Sequence, residues 1–307
     1  MHARYFIGLI AAVALGTSAV AQDTAQEKYA RALGGDFEFR QTDHWIIAYT
    51  ADEEQVDQVA TALERLHGVF TETFEKVGFE LTEPDEPLEV VLYADKKSYE
   101  AHQAKRVRPR TIPGNGAYSP RSNRIVLIVP SSRRRSSLIN LTVHEGAHQL
   151  AFNLGVQDRR ESYPPWIGEG LASAFETRDL ETEFGPLSNV RNPRWRNMAL
   201  RAATGRTMPV SELIVLRRPT SDPEDESQRS AMQDNSAIYN QGASVIVFMM
   251  REKPTEFIKY LHELEKLPRF RDPSDMWRDA FVNAFGEPDV FEEEWKEWLA
   301  KQVRASL

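Results

Sequence analysis

Two histidines four residues apart flank a glutamate in the stretch Leu141-Thr142-Val143-His144-Glu145-Gly146-Ala147-His148-Gln149-Leu150. On a helix, positions i and i+4 share one face, one turn apart. Imidazoles placed this way reach one metal ion at about 2.0–2.1 Å. Glu145 sits beside the first imidazole, where it can take a proton from a metal-activated water as that water attacks a carbonyl. Twenty residues separate His148 from Glu169, which lies inside Pro164-Pro165-Trp166-Ile167-Gly168-Glu169-Gly170-Leu171-Ala172. A catalytic zinc takes three protein ligands and keeps a fourth position open, and Glu169 completes a His₂Glu set with His144 and His148. The chain has no cysteine, so any metal must be held by imidazole and carboxylate. The plainer alternative is an exposed helix carrying two unrelated histidines. Leu141, Val143, Ala147, Leu150 and Ala151 oppose it, because they make the helix apolar on most sides. Buried His and Glu side chains need partners, and a metal supplies one.

These two segments, in this order, resemble the gluzincins, the thermolysin-like clan of zinc peptidases in which His-Glu-x-x-His is followed by a glutamate on the next helix. Trp166-Ile167-Gly168-Glu169-Gly170-Leu171-Ala172 is similar to the Trp-x-x-Glu-Gly-x-Ala segment of peptidase-MA-like proteins and of the aminopeptidase branch. The close match covers residues 141–176. The resemblance implies a zinc cleft between a sheet lobe and a helical lobe. It also implies that Glu176, seven residues beyond Glu169, orients a metal-bound imidazole; seven residues are two helical turns on one face. Tyr239-Asn240-Gln241 resembles a Tyr-x-Gln segment of the same clan, which implies that the Tyr239 hydroxyl stabilises an oxyanion. The local alternatives are a surface Glu176 near a helix end and a core Tyr239 beside Val245, Phe248 and Met249. Gly114-Asn115-Gly116-Ala117-Tyr118 stands where aminopeptidases carry Gly-x-Met-x-Asn, but the acid that holds a substrate's amino terminus is missing. An endopeptidase is therefore favoured over an aminopeptidase. The open edge of that strand is a place for an extended peptide.

The elements that must position these residues read as α+β. Trp45–Tyr49 and Leu88–Tyr93 are strands. Gly116–Tyr118 and Arg124–Val129 are two more, joined by Ser119-Pro120-Arg121-Ser122-Asn123 as a turn. Between the first two, Val56, Val59, Leu63, Leu66, Phe70 and Phe74 recur at helical spacing from Glu53 to Val77, and Gly78 is a stop. Asp95 caps a short helix running to about Ala104. The site helix spans Ser137 to Leu154, and a second one Pro165 to Arg178. Beyond residue 180 the pattern turns helical at Trp195–Thr204, Ala237–Arg251, Pro254–Lys266, Pro273–Phe285 and Pro288–Val303, broken by a charged loop from Pro219 to Asp234. The expected organisation is an N-terminal mixed-sheet lobe with the site helices over residues 22–180, and a mostly helical C-terminal lobe over 181–307.

Residues 1–21 read as an export signal: a basic start at His2 and Arg4, an apolar run from Tyr5 to Leu15, and the small-x-small site Ala19-Val20-Ala21. That run is too short to span a bilayer comfortably, so the expectation is a periplasmic or secreted protein without stable membrane insertion. The chain of 307 residues carries 38 Lys and Arg against 46 Asp and Glu, a net charge of −8. That acidic balance argues against a nucleic-acid partner. The basic runs Lys105–Arg110 and Arg133–Arg135 read as solvated loops, or else as guidance for an acidic substrate. His44, His67, His102 and His262 read as surface or packing residues.

The leading expectation is thus peptide-bond hydrolysis of a peptide or protein substrate. His144, His148 and Glu169 bind Zn²⁺, Glu145 is general base and then acid, and Tyr239 assists. The rivals are a peptidase-like binding or scaffolding protein without activity, and a zinc hydrolase of another amide or ester.

Overall fold

The computed structural model describes residues 24–106, 109, 111–112, 114–132, 135–159, 163–188, 198, 200–217, 235–267 and 274–304. The proposed export signal, the Pro219–Asp234 loop and parts of the Lys105–Arg110, Arg133–Arg135 and Trp195–Thr204 readings lie outside these residues.

A sheet of five strands forms the N-terminal half: β1 (Glu38–Gln41), β2 (Trp45–Tyr49), β3 (Leu88–Tyr93), β4 (Gly116–Ser119) and β5 (Arg124–Ile128), in the order β1-β2-β3-β5-β4. The three central strands β2, β3 and β5 are parallel, and the edges β1 and β4 are antiparallel to their neighbours. Every residue of β2 is buried, as expected of a strand covered on both faces. Alternate side chains divide between two layers. Ile46, Ala48, Val91, Tyr93 and Ile128 pack with Tyr29 and Leu33 of α1 (Ala25–Leu33) and Tyr99 of α3 (Lys96–Ala104). Trp45, Ile47, Val90, Leu92, Ile125 and Leu127 face the main core on the other side.

That second face is covered by α2 (Glu53–Val77) and α4 (Arg135–Asn153). Val56, Val59, Leu63, Leu66, Phe70 and Phe74, the apolar stripe of α2, are all fully buried. Gly78 ends the helix in the left-handed region at φ 105°, a conformation that suits a residue without Cβ. The connection between parallel β2 and β3 is α2 itself, the crossover that parallel strands need.

After α5 (Pro165–Phe175) the described chain is helical: α6 (Val210–Leu213), a π-helical turn at Ala237–Gln241, α7 (Gly242–Glu252), α8 (Pro254–Glu265), α9 (Ser274–Phe285) and α10 (Pro288–Arg304). Residues from both halves belong to one hydrophobic core, from Trp45 to Leu299. The architecture is α+β, a mixed sheet followed by a mostly helical part. Three elements were not foreseen: α1, β1 and the short α6. No helix among the described residues is long and apolar enough to cross a membrane.

Candidate metal centre

Helix α4 lies in the interior: Val143, Ala147, Leu150 and Ala151 are fully buried, and His144 and Glu145 are each 8% exposed. Gly146 explains how close the helix comes to α2, since a Cβ there would stand 2.7 Å from a Leu66 methyl. On the other side Gly116 brings β4 against Leu141. The next helix, α5, opens with Pro165 at its first turn, where a missing N–H costs nothing. It then meets α7 backbone to backbone. A Cβ on Gly170 would lie 2.6 Å from the carbonyl carbon of Gly242, and one on Gly242 would lie 2.9 Å from the Trp166 oxygen. These glycine contacts set the depth at which the neighbouring Glu169 enters the interior.

The structure brings His144, His148 and Glu169 together, each offering a ligand atom within 4.8 Å of the others. Nε2 of His144 and Nε2 of His148 each stand 3.3 Å from the same oxygen, Oε2 of Glu169. Two donors bound at about 2.0–2.1 Å to one tetrahedral ion are separated by about 3.3–3.4 Å, from the bond lengths and the tetrahedral angle. Both measured edges fit that spacing. The two imidazole rings are nearly perpendicular, at 84°, with centroids 4.9 Å apart.

Charge points the same way. Glu145, Glu169 and Glu176 are buried carboxylates around this one cluster, at 8%, 6% and 8% exposure. Burying such groups without a counter-charge is costly. Burial disfavours the His144 imidazolium, but hydrogen bonds to Glu169 and Glu176, and the charge of Glu145, outweigh it and raise the pKa to about 10. A divalent cation competes with that proton for the same imidazole. The donor set, its spacing and its negative charge therefore fit a divalent metal ion.

Glu176 reaches the cluster by a route that helical spacing does not describe. Helix α5 ends at Phe175, and Glu176 has extended backbone at φ −51°, ψ 133°. Its carboxylate nevertheless lies 2.9 Å from Nδ1 of His144, an arrangement that fixes ring orientation and leaves Nε2 for a metal. Tyr239, in the π-helical turn, stacks on the His144 ring at 6.0 Å and 28°. Gln241, two residues on, clamps both backbone groups of Met208.

Three features were not legible in sequence. The backbone N–H of Tyr118, on edge strand β4, donates to Oε2 of Glu145 at 2.7 Å. Gln149, beside His148, accepts from the Trp45 indole at 2.9 Å and donates to the carbonyls of Glu89 and Asn123, tying the site helix to the sheet. His44 and His67, read as surface or packing residues, meet Glu83.

The cluster opens into a cleft of about 1140 Å³, with β4 along one wall and Tyr163, Gly168 and Tyr239 on others. The acids among its described lining residues are Glu145, Glu169 and Glu176. Fold and site together define an α+β protein with a buried His₂Glu group able to hold a metal ion. A model of a family described as proteins of unknown function, DUF1570, matches residues 139–270, a stretch that contains the whole cluster and Tyr239. No curated protein matches the chain.

Proposed function

We propose that this protein is a zinc-dependent peptidase, acting as an endopeptidase on a peptide or protein substrate. The observation that carries the reading is the pair of equal 3.3 Å edges from His144 and His148 to one oxygen of Glu169, with the Glu145 carboxylate beside them in an open cleft. The resemblance to the gluzincins supports it.

His144, His148 and Glu169 hold the ion, and Glu176 orients His144. Zinc, when bound, supplies Lewis acidity, lowering the pKa of water towards neutrality and polarising a carbonyl. Glu145 takes the proton of the attacking water and returns it to the departing amine. One of its oxygens is positioned by the Tyr118 N–H, which leaves Oε1 to accept that proton. The phenol of Tyr239 donates to the developing oxyanion. Strand β4, at the edge of the sheet, offers backbone groups to an extended substrate. The three acids among the described lining residues of the cleft are committed to the cluster, which favours an endopeptidase over an enzyme that must hold a substrate's free amine. In the same reading the chain is exported, loses residues 1–21, works in the periplasm or outside the cell without stable membrane insertion, and takes no nucleic-acid partner.

The test is Glu145→Gln beside Glu169→Ala. Glu145→Gln keeps about one zinc in the cluster and loses hydrolysis of a peptide library by 10²-fold or more, within the range for a removed acid–base group. Glu169→Ala loses that zinc. Hydrolysis unchanged in Glu145→Gln overturns the peptidase reading.

A further inference from the structure

The described chain contains a second group of histidines and carboxylates, away from the cleft. His44 precedes β2, His67 lies on α2, and Glu83 lies on the segment between α2 and β3. Each offers one ligand atom, and these atoms all lie within 4.8 Å of one another. We propose that His44, His67 and Glu83 form a second metal site, selective for borderline divalent cations such as zinc, that clamps the 78–87 segment to the sheet and to α2. This goes beyond the reading of the first cluster and does not depend on it.

The construction repeats that of the first cluster. Nδ1 of His44 is 2.6 Å from Oε2 of Glu64, whose other oxygen accepts the His44 backbone N–H at 3.0 Å. A carboxylate on one ring nitrogen fixes the imidazole and presents the other nitrogen outward, as Glu176 does for His144. Nε2 of His67 is 3.2 Å from Oε2 of Glu83, near the edge expected for two donors on one tetrahedral ion. The His44 and His67 rings stack with centroids 3.6 Å apart, 18° from parallel. To point both nitrogens at one ion the rings must splay, and His χ2 is a broad, soft torsion. The set of two imidazoles and one carboxylate suits zinc or copper(II) over calcium or magnesium, which prefer all-oxygen shells.

Geometry also says what such an ion would secure. Glu83, with its side chain 53% exposed, would otherwise hang on the surface. Its neighbour Thr82 donates its N–H to the carbonyl of Leu154, at the end of the α4 helix. The rings of His44 and His67 both meet Trp45 edge-on, at 5.9 and 6.0 Å, and Trp45 is bonded to Gln149 of α4. The clamp therefore bears on the helix that carries His144 and His148 from two directions.

The experiment is equilibrium dialysis of metal-stripped full chain against zinc, with metal per chain measured for wild type, Glu83→Ala, Glu169→Ala and the double variant, and melting temperature followed alongside. Glu83 is exposed, so its replacement leaves the core intact. The expected counts are two, one, one and none, with a zinc-dependent rise in melting temperature in Glu169→Ala that the double variant lacks. A Glu83→Ala chain that binds as many ions as wild type, with unchanged affinity, overturns the proposal. So does a residual ion in Glu169→Ala that survives Glu83→Ala. Loss of binding on Glu169→Ala with two ions in the wild type and none in the variant would also overturn an independent second site. One ion that is lost in Glu83→Ala and kept in Glu169→Ala supports this site and sinks the first.

Discussion

Gly170→Ala adds a single methyl group beside Glu169, and its consequence can be worked out from the contact between α5 and α7. The new Cβ would stand 2.6 Å from the Gly242 carbonyl carbon and 3.0 Å from the Ala243 nitrogen, against an ordinary contact of 3.4–4 Å. Both obstacles are backbone, so no rotamer change relieves them and the helices must part by about 0.8 Å. Overpacking of this kind costs about 1–3 kcal/mol, and rigid obstacles put this case near the upper end. Alanine in a helix interior returns about 1 kcal/mol relative to glycine. The net loss is about 2 kcal/mol, and at roughly 2–4 °C per kcal/mol for a larger domain the melting temperature falls by about 4–8 °C. Metal sites tolerate about ±0.2 Å in ligand distance, so the same displacement moves Glu169 out of register with the two histidines and weakens zinc binding. Gly168→Ala is the control, because its nearest neighbour would be His148 Cε1 at an ordinary 3.8 Å; it leaves the melting temperature unchanged or slightly raised. Calorimetry and zinc titration on the two variants decide the matter. If Gly170→Ala melts with Gly168→Ala and binds zinc as tightly as wild type, the glycine contact does not set the position of Glu169.

Other variants probe neighbouring links. Glu176→Gln removes the charged partner of His144 Nδ1, and zinc affinity falls by about 10–100-fold in a competition titration; unchanged affinity would make Glu176 incidental to the cluster. Tyr239→Phe keeps the ring on His144 and removes only the hydroxyl, so kcat falls by about 10²-fold with zinc content and KM unchanged. An unaltered kcat would leave Tyr239 a packing residue. Gln149→Leu strands the Trp45 indole N–H and takes a partner from two carbonyls, lowering stability by about 3–9 kcal/mol at about 1–3 kcal/mol for each of the three groups, read as a lower urea midpoint. A shift below 0.5 kcal/mol would mean that those groups find other partners.

What sequence could convey depended on how far along the chain the partners lie. The range of α2, Glu53 to Val77, was readable because its apolar stripe keeps strict helical spacing and Gly78 stops it. The buried strands β2, β3 and β5 announced themselves as short β-branched and aromatic runs. Three elements gave no such signal, and one of them, α6, is only four residues long. In α1 only Tyr29 and Leu33 are buried. In β1 the outer residues are exposed and the inner two half-buried, so neither shows a full apolar face. Glu176 was anticipated from the family resemblance, but the helical spacing offered beside it does not hold. It is no longer helical, and its extended backbone brings the carboxylate to Nδ1 of His144, which helical periodicity cannot foresee.

The two histidine clusters show where that limit falls. In the first, the imidazoles come from one helix at i and i+4, so local geometry already implies a shared partner, and only Glu169 had to be supplied from the next helix. In the second, His44, His67 and Glu83 come from a strand entrance, a helix and a connecting segment. None is near another in sequence at a spacing that implies contact. They meet only because α2 packs across β2, placing His67 over His44, while Gly78 turns the chain back so that the following segment delivers Glu83. The same burial that hides Phe70 and Phe74 in the core thus creates a potential ligand set at its rim. A metal count that finds this second ion would show tertiary packing, not a motif, assembling a site from residues that each looked like ordinary surface in the sequence.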